Sequence, residues 1–444
     1  MLLSFRFANH SSFRDEQQLD LTPENNSIPP NDAIEAVPVA GIFGANASGK
    51  SNITSAFRYM RYMATMSDRM SDPGAGVERT HFKLNPELRA EPSRYVADIL
   101  LKGVRYTYGF TVDDDMVLEE WLYGYPQEQQ TVLFERTRQE FRFGEESGRT
   151  SMRQVIDITA PNVLFLPVAA RANQGPLIPI FTWFRTRLTI VSQLNNFPTL
   201  SHNAVSYIED TEKRGLIVNL LRAADLGLRD IHVIPDNKRD SLDFDIDYLY
   251  VDDDTRLRIK RHPSKRLLFS HAGATGEVML SWAEQSTGTQ QLFELAVMAV
   301  QALKRGACIL VDEIDSSLHP ILTAGLIRLF QNPQTNGRGG QLILTTHDST
   351  LLSSLQGDEI LHRDQIWFAE KAADGASTLF PLSDFHPRKQ ENRQRRYLNG
   401  SYGAIPNISD ELLSRAALSR KDSNEPEVNR QDESQSDLGA RERD

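Results

Sequence analysis

Val37-Pro38-Val39-Ala40-Gly41-Ile42-Phe43-Gly44-Ala45-Asn46-Ala47-Ser48-Gly49-Lys50-Ser51 is the stretch that decides the fold of this chain. Its first half is apolar with no charge, as a strand buried on both faces requires. Gly44 to Ser51 fit the pattern GxxxxGK[ST]. Beyond it, Ile53, Ala56, Phe57, Met60 and Met63 recur at helical spacing and predict a helix over 52–66. Strand, glycine-rich turn and helix in this order form the setting that gives the pattern physical meaning. Glycines let successive N–H groups turn towards one point, and the helix starting near Lys50 adds its positive end, so the segment is built to cradle phosphate. Gly44, Asn46, Gly49 and Asn52 belong to that cradle. Lys50 is placed to reach β- and γ-phosphates, and Ser51 Oγ to ligate Mg²⁺. A chance glycine turn would lack the flanking strand and helix.

Downstream, Ala307-Cys308-Ile309-Leu310-Val311 is a second buried strand and ends in Asp312-Glu313. Alone, that ending is an ordinary strand terminus. Behind a phosphate loop it gains a use, because ligands of α/β sheets sit at the carboxyl ends of the strands. Two adjacent carboxylates repel each other unless a cation lies near. Asp312 is therefore assigned to the Mg²⁺ shell, and Glu313 to the water that attacks the phosphate. A third buried strand over 341–345 is followed by His347, 35 residues beyond Asp312 (347 − 312) and within reach of a γ-phosphate if the two strands run parallel. Ser286-Thr287-Gly288-Thr289-Gln290 opens a helix whose apolar positions run to Leu303. Ser286 Oγ and the Gly288 N–H then stand at a helix N-terminus, a capped start that is also able to take a phosphate.

The remaining pattern sets the architecture. Residues 2–7 alternate and predict a half-exposed strand. Residues 94–123 are rich in Tyr, Val and Phe and are cut at Lys102-Gly103 and Asp113-Asp114-Asp115, so they predict an antiparallel β-meander continuing to about Phe143. Residues 180–194 and 203–225 read as helices, the second closed by Gly227, and short strands return over 231–282. The expected fold class is α/β: a P-loop NTPase head with a mixed sheet, an antiparallel β-meander subdomain and an inserted helical subdomain. The expected division is 1–145 for the N-terminal half of the head, 146–230 for the helical insertion, 231–410 for the C-terminal half, and 411–444 for a disordered tail lacking aromatics.

Composition narrows the class of function. The 444 residues carry 49 Lys+Arg against 60 Asp+Glu, a net charge of −11, which does not suit a general nucleic-acid coat. Hydrophobic residues at 40% and charged residues at 25% suffice for a buried core. No long uncharged apolar run or secretory signal stands out, and Cys308 is the sole cysteine, so a cytoplasmic protein with no membrane partner is expected. Arg388, Lys389, Arg393, Arg395 and Arg396, opposed by Glu391, form a basic cluster able to touch DNA phosphates or an acidic partner; a solvated helix face is the plainer reading.

With these elements in this order, the sequence resembles the ABC-like ATPases of the SMC/RecF/OLD kind. Within them it is similar to the compact bacterial "AAA family ATPase" group that includes RloA and AriA, ATPases of anti-phage defence systems. The resemblance covers most of residues 1–406. It is carried by Asn9-His10-Ser11-Ser12-Phe13-Arg14-Asp15, the phosphate loop, Ser286-Thr287-Gly288-Thr289, Asp312-Glu313-Ile314-Asp315-Ser316-Ser317-Leu318-His319-Pro320, Asp364-Gln365-Ile366-Trp367-Phe368 and the closing Tyr397-Leu398-Asn399-Gly400-Ser401-Tyr402-Gly403-Ala404-Ile405-Pro406. Ser286 lies 26 residues before Asp312 (312 − 286), where an ABC-type signature falls. The resemblance implies that Ser286 and Gly288 close in trans on ATP held by another protomer, with Lys50, Ser51, Asp312, Glu313 and His347 acting in cis and Asp315 in the loop that links subunits.

It also implies a homodimer or higher homo-oligomer through an ATP sandwich, and a separate effector encoded nearby, commonly of Toprim type. A RecF/SMC-like DNA-repair ATPase is the alternative, and ATP as a structural glue with negligible turnover is a third reading. A transporter nucleotide-binding domain does not suit the meander. Two departures stand out. Gln285 precedes Ser286 where the group often has Glu, and Ala47 replaces a glycine common in the wider class. The glutamine of the usual Q-loop has no clear counterpart, Gln174 being the one candidate.

Overall fold

The computed structural model describes residues 1–23, 36–72, 74–144, 149–191, 202–224, 227–235, 265–316, 318–355, 357–388 and 391–405. The chain enters as the antiparallel pair Leu2–Ala8 (β1) and Gln17–Asp20 (β2). The apolar run follows as Val39–Phe43 (β3), buried throughout, and the glycine-rich turn leads into Lys50–Met70 (α1). Five antiparallel strands come next: Ser93–Leu101 (β4), Val104–Val112 (β5), Val117–Tyr125 (β6), Thr131–Thr137 (β7) and Glu140–Phe143 (β8). The first of their turns is Lys102-Gly103, both residues at positive φ, the two-residue geometry whose twist matches the flanking strands. β1 pairs with β4, which completes a seven-stranded sheet ordered β2-β1-β4-β5-β6-β7-β8.

Helices Arg149–Asp157 (α2), Phe165–Arg171 (α3) and Ile178–Thr186 (α4) lead to strand Leu188–Val191 (β9). Helices His202–Glu209 (α5) and Thr211–Ala223 (α6) precede a three-stranded antiparallel sheet, Leu228–Pro235 (β10), Lys265–Gly273 (β11) and Gly276–Ser281 (β12). The helix Thr287–Arg305, strand Cys308–Val311 (β13), helix Pro320–Gln331 and strand Gln341–Thr346 (β14) alternate as expected. Two short strands, Ser354–Leu355 (β15) and Asp358–Glu359 (β16), then Ile366–Lys371 (β17) and Ser377–Pro381 (β18), close the chain before the helix Arg393–Leu398. The loop-bearing sheet has six strands in the order β18-β17-β3-β14-β13-β9, parallel except for β18. The fold is thus α/β with a mixed sheet and an antiparallel meander.

Three local expectations change. The helix predicted over 180–194 ends at Thr186, and Leu188–Val191 instead pairs in parallel with β13, Leu188 opposite Cys308. The β-branched run Thr189-Ile190-Val191 suits a sheet edge, and the pairing overrides its helical spacing. The helix predicted over 203–225 is two helices. Asp210 interrupts it by accepting from the N–H groups of Glu212 and Lys213, which caps α6. β1 is buried along most of its length rather than half-exposed, because its polar residues face β4: Ser4 Oγ donates to Asp98 at 2.6 Å and Arg6 pairs with Asp98 at 3.5 Å. The expected tail, 411–444, lies outside the described residues.

Each parallel strand sends alternate side chains to opposite faces, as the two-residue period dictates. Ala40, Ile42, Cys308, Leu310 and Ile343 join the core shared with α1, the meander and α2 to α4. Val39, Phe43, Ile309, Val311, Leu342 and Leu344 join a second core under the helix Pro320–Gln331. The helix Thr287–Arg305 is apolar on two sides. Leu295, Met298 and Ala299 enter this second core, while Phe293, Ala296, Val297 and Val300 pack against α5, α6 and the three-stranded sheet. The meander is locked to α3 by Glu120, fully buried, whose carboxylate accepts from the Phe165 and Leu166 N–H groups at 2.6 and 3.0 Å. Arg136, also buried, neutralises it at 3.6 Å and donates to Val163 O at 2.6 Å.

Candidate functional site

Because β17, β3, β14 and β13 are parallel neighbours, their carboxyl ends open on one side of the sheet. Gly44 follows β3, His347 follows β14, Asp312-Glu313 follow β13, and Lys371 ends β17. A cavity of about 380 Å³ lies there. It is lined by Asn46, Ala47, Gly49, Lys50, Ser51 and Asn52 of the loop and helix start, by Glu313 and His347 from the strand ends on one side of β3, and by Lys371 from β17 on the other.

The loop is shaped by close approaches. A Cβ at Gly44 would lie 2.4 Å from the Ala369 carbonyl oxygen, so only glycine seats the loop against β17. Gly49 takes φ +113, and a Cβ there would meet Ser377 Oγ at 2.7 Å. Ala47 takes φ +63, the left-handed region where the wider class has glycine. Lys50 is buried, and its Nζ donates to Gly44 O and Ala45 O, each at 2.8 Å. Burial lowers its pKa, partly offset by the charges of Glu313, Asp315 and Asp312. Ser48 Oγ is buried and has no hydrogen-bond partner among the described residues. A buried cation on backbone carbonyls beside an orphan hydroxyl fits a loop that takes a polyanion. Asn52 Nδ2 donates to Ser12 Oγ at 2.8 Å, and the Ser377 hydroxyl lies 2.8 Å from the same oxygen, which ties α1 to the loop after β1 and to β18.

The acidic pair is held by a residue that no motif names. Thr345 Oγ1 donates to Asp312 Oδ1 at 2.6 Å and accepts from the Glu313 N–H at 2.8 Å. Glu313 itself has φ +50, an unfavourable conformation for a side chain of this kind, and the Thr345 bond fixes it there. Asp312 is buried and does not line the cavity; Glu313 does, with Oε1 3.8 Å from His347 Nε2. Asp315 accepts weakly from the His347 N–H, at 3.3 and 3.4 Å to its two oxygens. The oxygen donors near this cavity are Ser51 at the helix start and, behind Glu313, the buried Asp312; so small a set fits Mg²⁺, which takes few protein ligands and completes its shell with phosphate and water. Among the described residues no three His, Cys, Asp or Glu converge on a metal cage.

Ser286 and Gly288 are not in this cavity. Both are exposed at the start of the helix Thr287–Arg305, where Ser286 Oγ accepts from the Thr289 N–H at 3.1 Å. Gln174 is likewise not part of the cavity lining. The basic cluster is partly internal. Arg393 is buried, donating to Leu361 O at 3.0 Å and pairing with Glu359 at 2.7 Å. Arg396 pairs with Glu391 and lies over the Tyr402 ring. Arg388 and Arg395 stay exposed, and Lys389 is outside the described residues. Sequence reasoning missed Lys371 and Thr345. Thr345 stands in a buried strand with no motif, and Lys371 follows Phe368, where the recognisable stretch stops.

A glycine-rich loop between β3 and α1, set beside an acidic strand end on a parallel sheet, defines a P-loop nucleotide-binding protein of the α/β class. The chain belongs to the AAA ATPase family described as "AAA domain, putative AbiEii toxin, Type IV TA system", which matches residues 39–353. No curated protein matches it. Solved structures match, among them the Smc head domain of Pyrococcus furiosus, with an extended coiled coil and bound to the C-terminal domain of ScpA. Identity to it is 12% and the TM-score 0.43, over 87% of this chain and 97% of that one. Among the described residues no helix is long and apolar enough to cross a membrane.

Proposed function

We propose that this chain binds and hydrolyses ATP with Mg²⁺ at interfaces between copies of itself, and that the cycle controls a separate effector in a bacterial anti-phage defence system of the RloA/AriA kind. The observation that carries the ATPase part is the meeting of Lys50, Ser51, Glu313 and His347 around one cavity. The family description, which names a toxin–antitoxin system, supports a role beside a second component.

In this reading Lys50 leaves the Gly44 and Ala45 carbonyls for the β- and γ-phosphates, and the loop N–H groups hold the same oxygens. Ser51 Oγ and Asp312 are the residues that would hold Mg²⁺, which would supply neutralisation of phosphate charge. Glu313 orients the attacking water and accepts its proton, and His347 donates to the transferred group. Ser286 and the Gly288 N–H of a second copy complete the pocket. Their exposure is what an element acting on a neighbour needs. A second cleft of about 260 Å³, sharing Asn52 and Lys371 with the first, has the apolar side chains of Phe82 and Leu84 and the Ser11 and Ser12 hydroxyls to take a nucleoside. A RecF-like DNA contact draws less support, since Arg393 and Arg396 are engaged within the fold.

The test is a pair of variants. Lys50→Ala is expected to abolish ATP binding. Glu313→Gln is expected to keep binding while turnover falls by roughly 100-fold or more, with ATP-bound dimer accumulating on size exclusion. Turnover by Glu313→Gln at the wild-type rate would remove the water-activating role from Glu313.

A further inference from the structure

Lys371 faces both clefts, yet none of the roles above uses it. We propose that it is a second cationic contact for the phosphate chain, at the point where that chain leaves the glycine-rich cradle for the adjoining cleft. This rests on the nucleotide reading above.

Three observations carry it. First, β17 lies parallel to β3 with Phe368 opposite Phe43, and the Ala369 carbonyl packs on Gly44, so the end of β17 runs alongside the loop itself. Second, the ammonium group has no partner among the described residues, although carboxylates flank it in sequence. Glu370 faces the other way and accepts from the Ala404 N–H at 3.1 Å; Asp374 pairs with Arg14 at 2.8 Å and accepts from the Ala376 N–H at 3.0 Å. Third, the cross-strand neighbour of Lys371 is Ser377, whose N–H donates to Ser12 O at 2.8 Å and whose hydroxyl joins the Ser12–Asn52 pair. The backbone that presents the lysine is therefore fixed to the first turn of α1.

The cavity that Lys371 faces holds Lys50, whose charge repels a second ammonium, as well as Glu313, which attracts one, and a bound polyanion would satisfy both cations. Lys83 adds a further cation to the second cleft, which no carboxylate among the described residues lines. The position of Lys371 at the shared boundary puts it on the part of the chain common to ATP and ADP. Lys50, deeper in the loop, serves the β- and γ-phosphates.

Affinities for ATP and ADP, measured by calorimetry on the full chain and on Lys371→Ala, Lys371→Gln and Lys371→Arg, test this. The Ala and Gln variants are expected to weaken both nucleotides by the same factor, about tenfold for one charge-assisted contact, with Arg restoring most of it and all melting temperatures alike. Binding by Lys371→Ala within twofold of wild type overturns the assignment, and so does a loss confined to ATP or an equal loss in Lys371→Arg. If the wild-type chain itself bound neither nucleotide, the ATPase reading would fall first, a result distinct from a wild type that binds and a Lys371→Ala variant that binds equally well.

Discussion

Thr345 shows how much of this site depends on single hydrogen bonds. Its hydroxyl has one proton and gives it to Asp312, leaving its lone pairs for the Glu313 N–H. The same atom thus sets the direction of the buried carboxylate and holds Glu313 at a positive φ that costs about 1–3 kcal/mol if unsupported. Thr345→Val keeps the shape and removes both bonds. Its kcat is expected to fall roughly 10- to 100-fold with ATP affinity nearly unchanged, because a misplaced general base damages the transition state more than the ground state. Steady-state kinetics alongside nucleotide titration separate the two, and an unchanged kcat would mean that Glu313 needs no such support. Thr345→Ser, which keeps the hydroxyl, is expected to stay near wild type.

At the scale of the element, the helix Thr287–Arg305 carries an uncompensated cost. Glu294 is 4% exposed, its Oε1 has no partner among the described residues, and burial pushes its pKa up to about 7. The folded chain therefore holds a proton that the unfolded chain, near the ordinary 4.5, releases earlier. Stability from this group is complete below about pH 4.5 and is lost as pH rises through about 7, by on the order of 3 kcal/mol. Glu294→Gln is expected to melt higher than wild type at pH 8 and to match it near pH 5. Melting temperatures across that range decide it; a difference that does not change with pH would show that Glu294 is not protonated in the fold. The helix has Ser286 at its start and packs on two cores, so its stability bears directly on where that serine stands.

At the scale of the whole molecule, one copy is expected to complete the pocket of another. Ser286 and Gly288 do not line the cavity of their own chain, which is the arrangement a trans-acting cap requires. Lys50→Ala and Ser286→Ala are each expected to be inactive, and an equal mixture to recover about a quarter of wild-type turnover, since half the dimers are mixed and each mixed dimer has one intact pocket. No recovery on mixing, with both proteins folded, would place the two residues in the same functional unit and contradict the sandwich.

Local pattern was enough to read the loop, α1, the meander, the acidic strand end and the capped helix at Ser286. Each depends on neighbours within a few residues: an apolar run, a glycine that permits a bend, a hydroxyl three residues from an N–H. The order of the strands in the loop-bearing sheet was not legible. Strand pairing joins residues more than a hundred positions apart, so nothing near Leu188 announces that it lies beside Cys308, nor anything near Lys371 that it stands beside the loop. The same holds for Thr345, an ordinary residue of a buried strand until register sets it against Asp312. The sequence by itself determined which groups could meet a phosphate. Only the tertiary structure decided which of them share a cavity, because long-range sheet register, and no local propensity, sets the distances between strand ends.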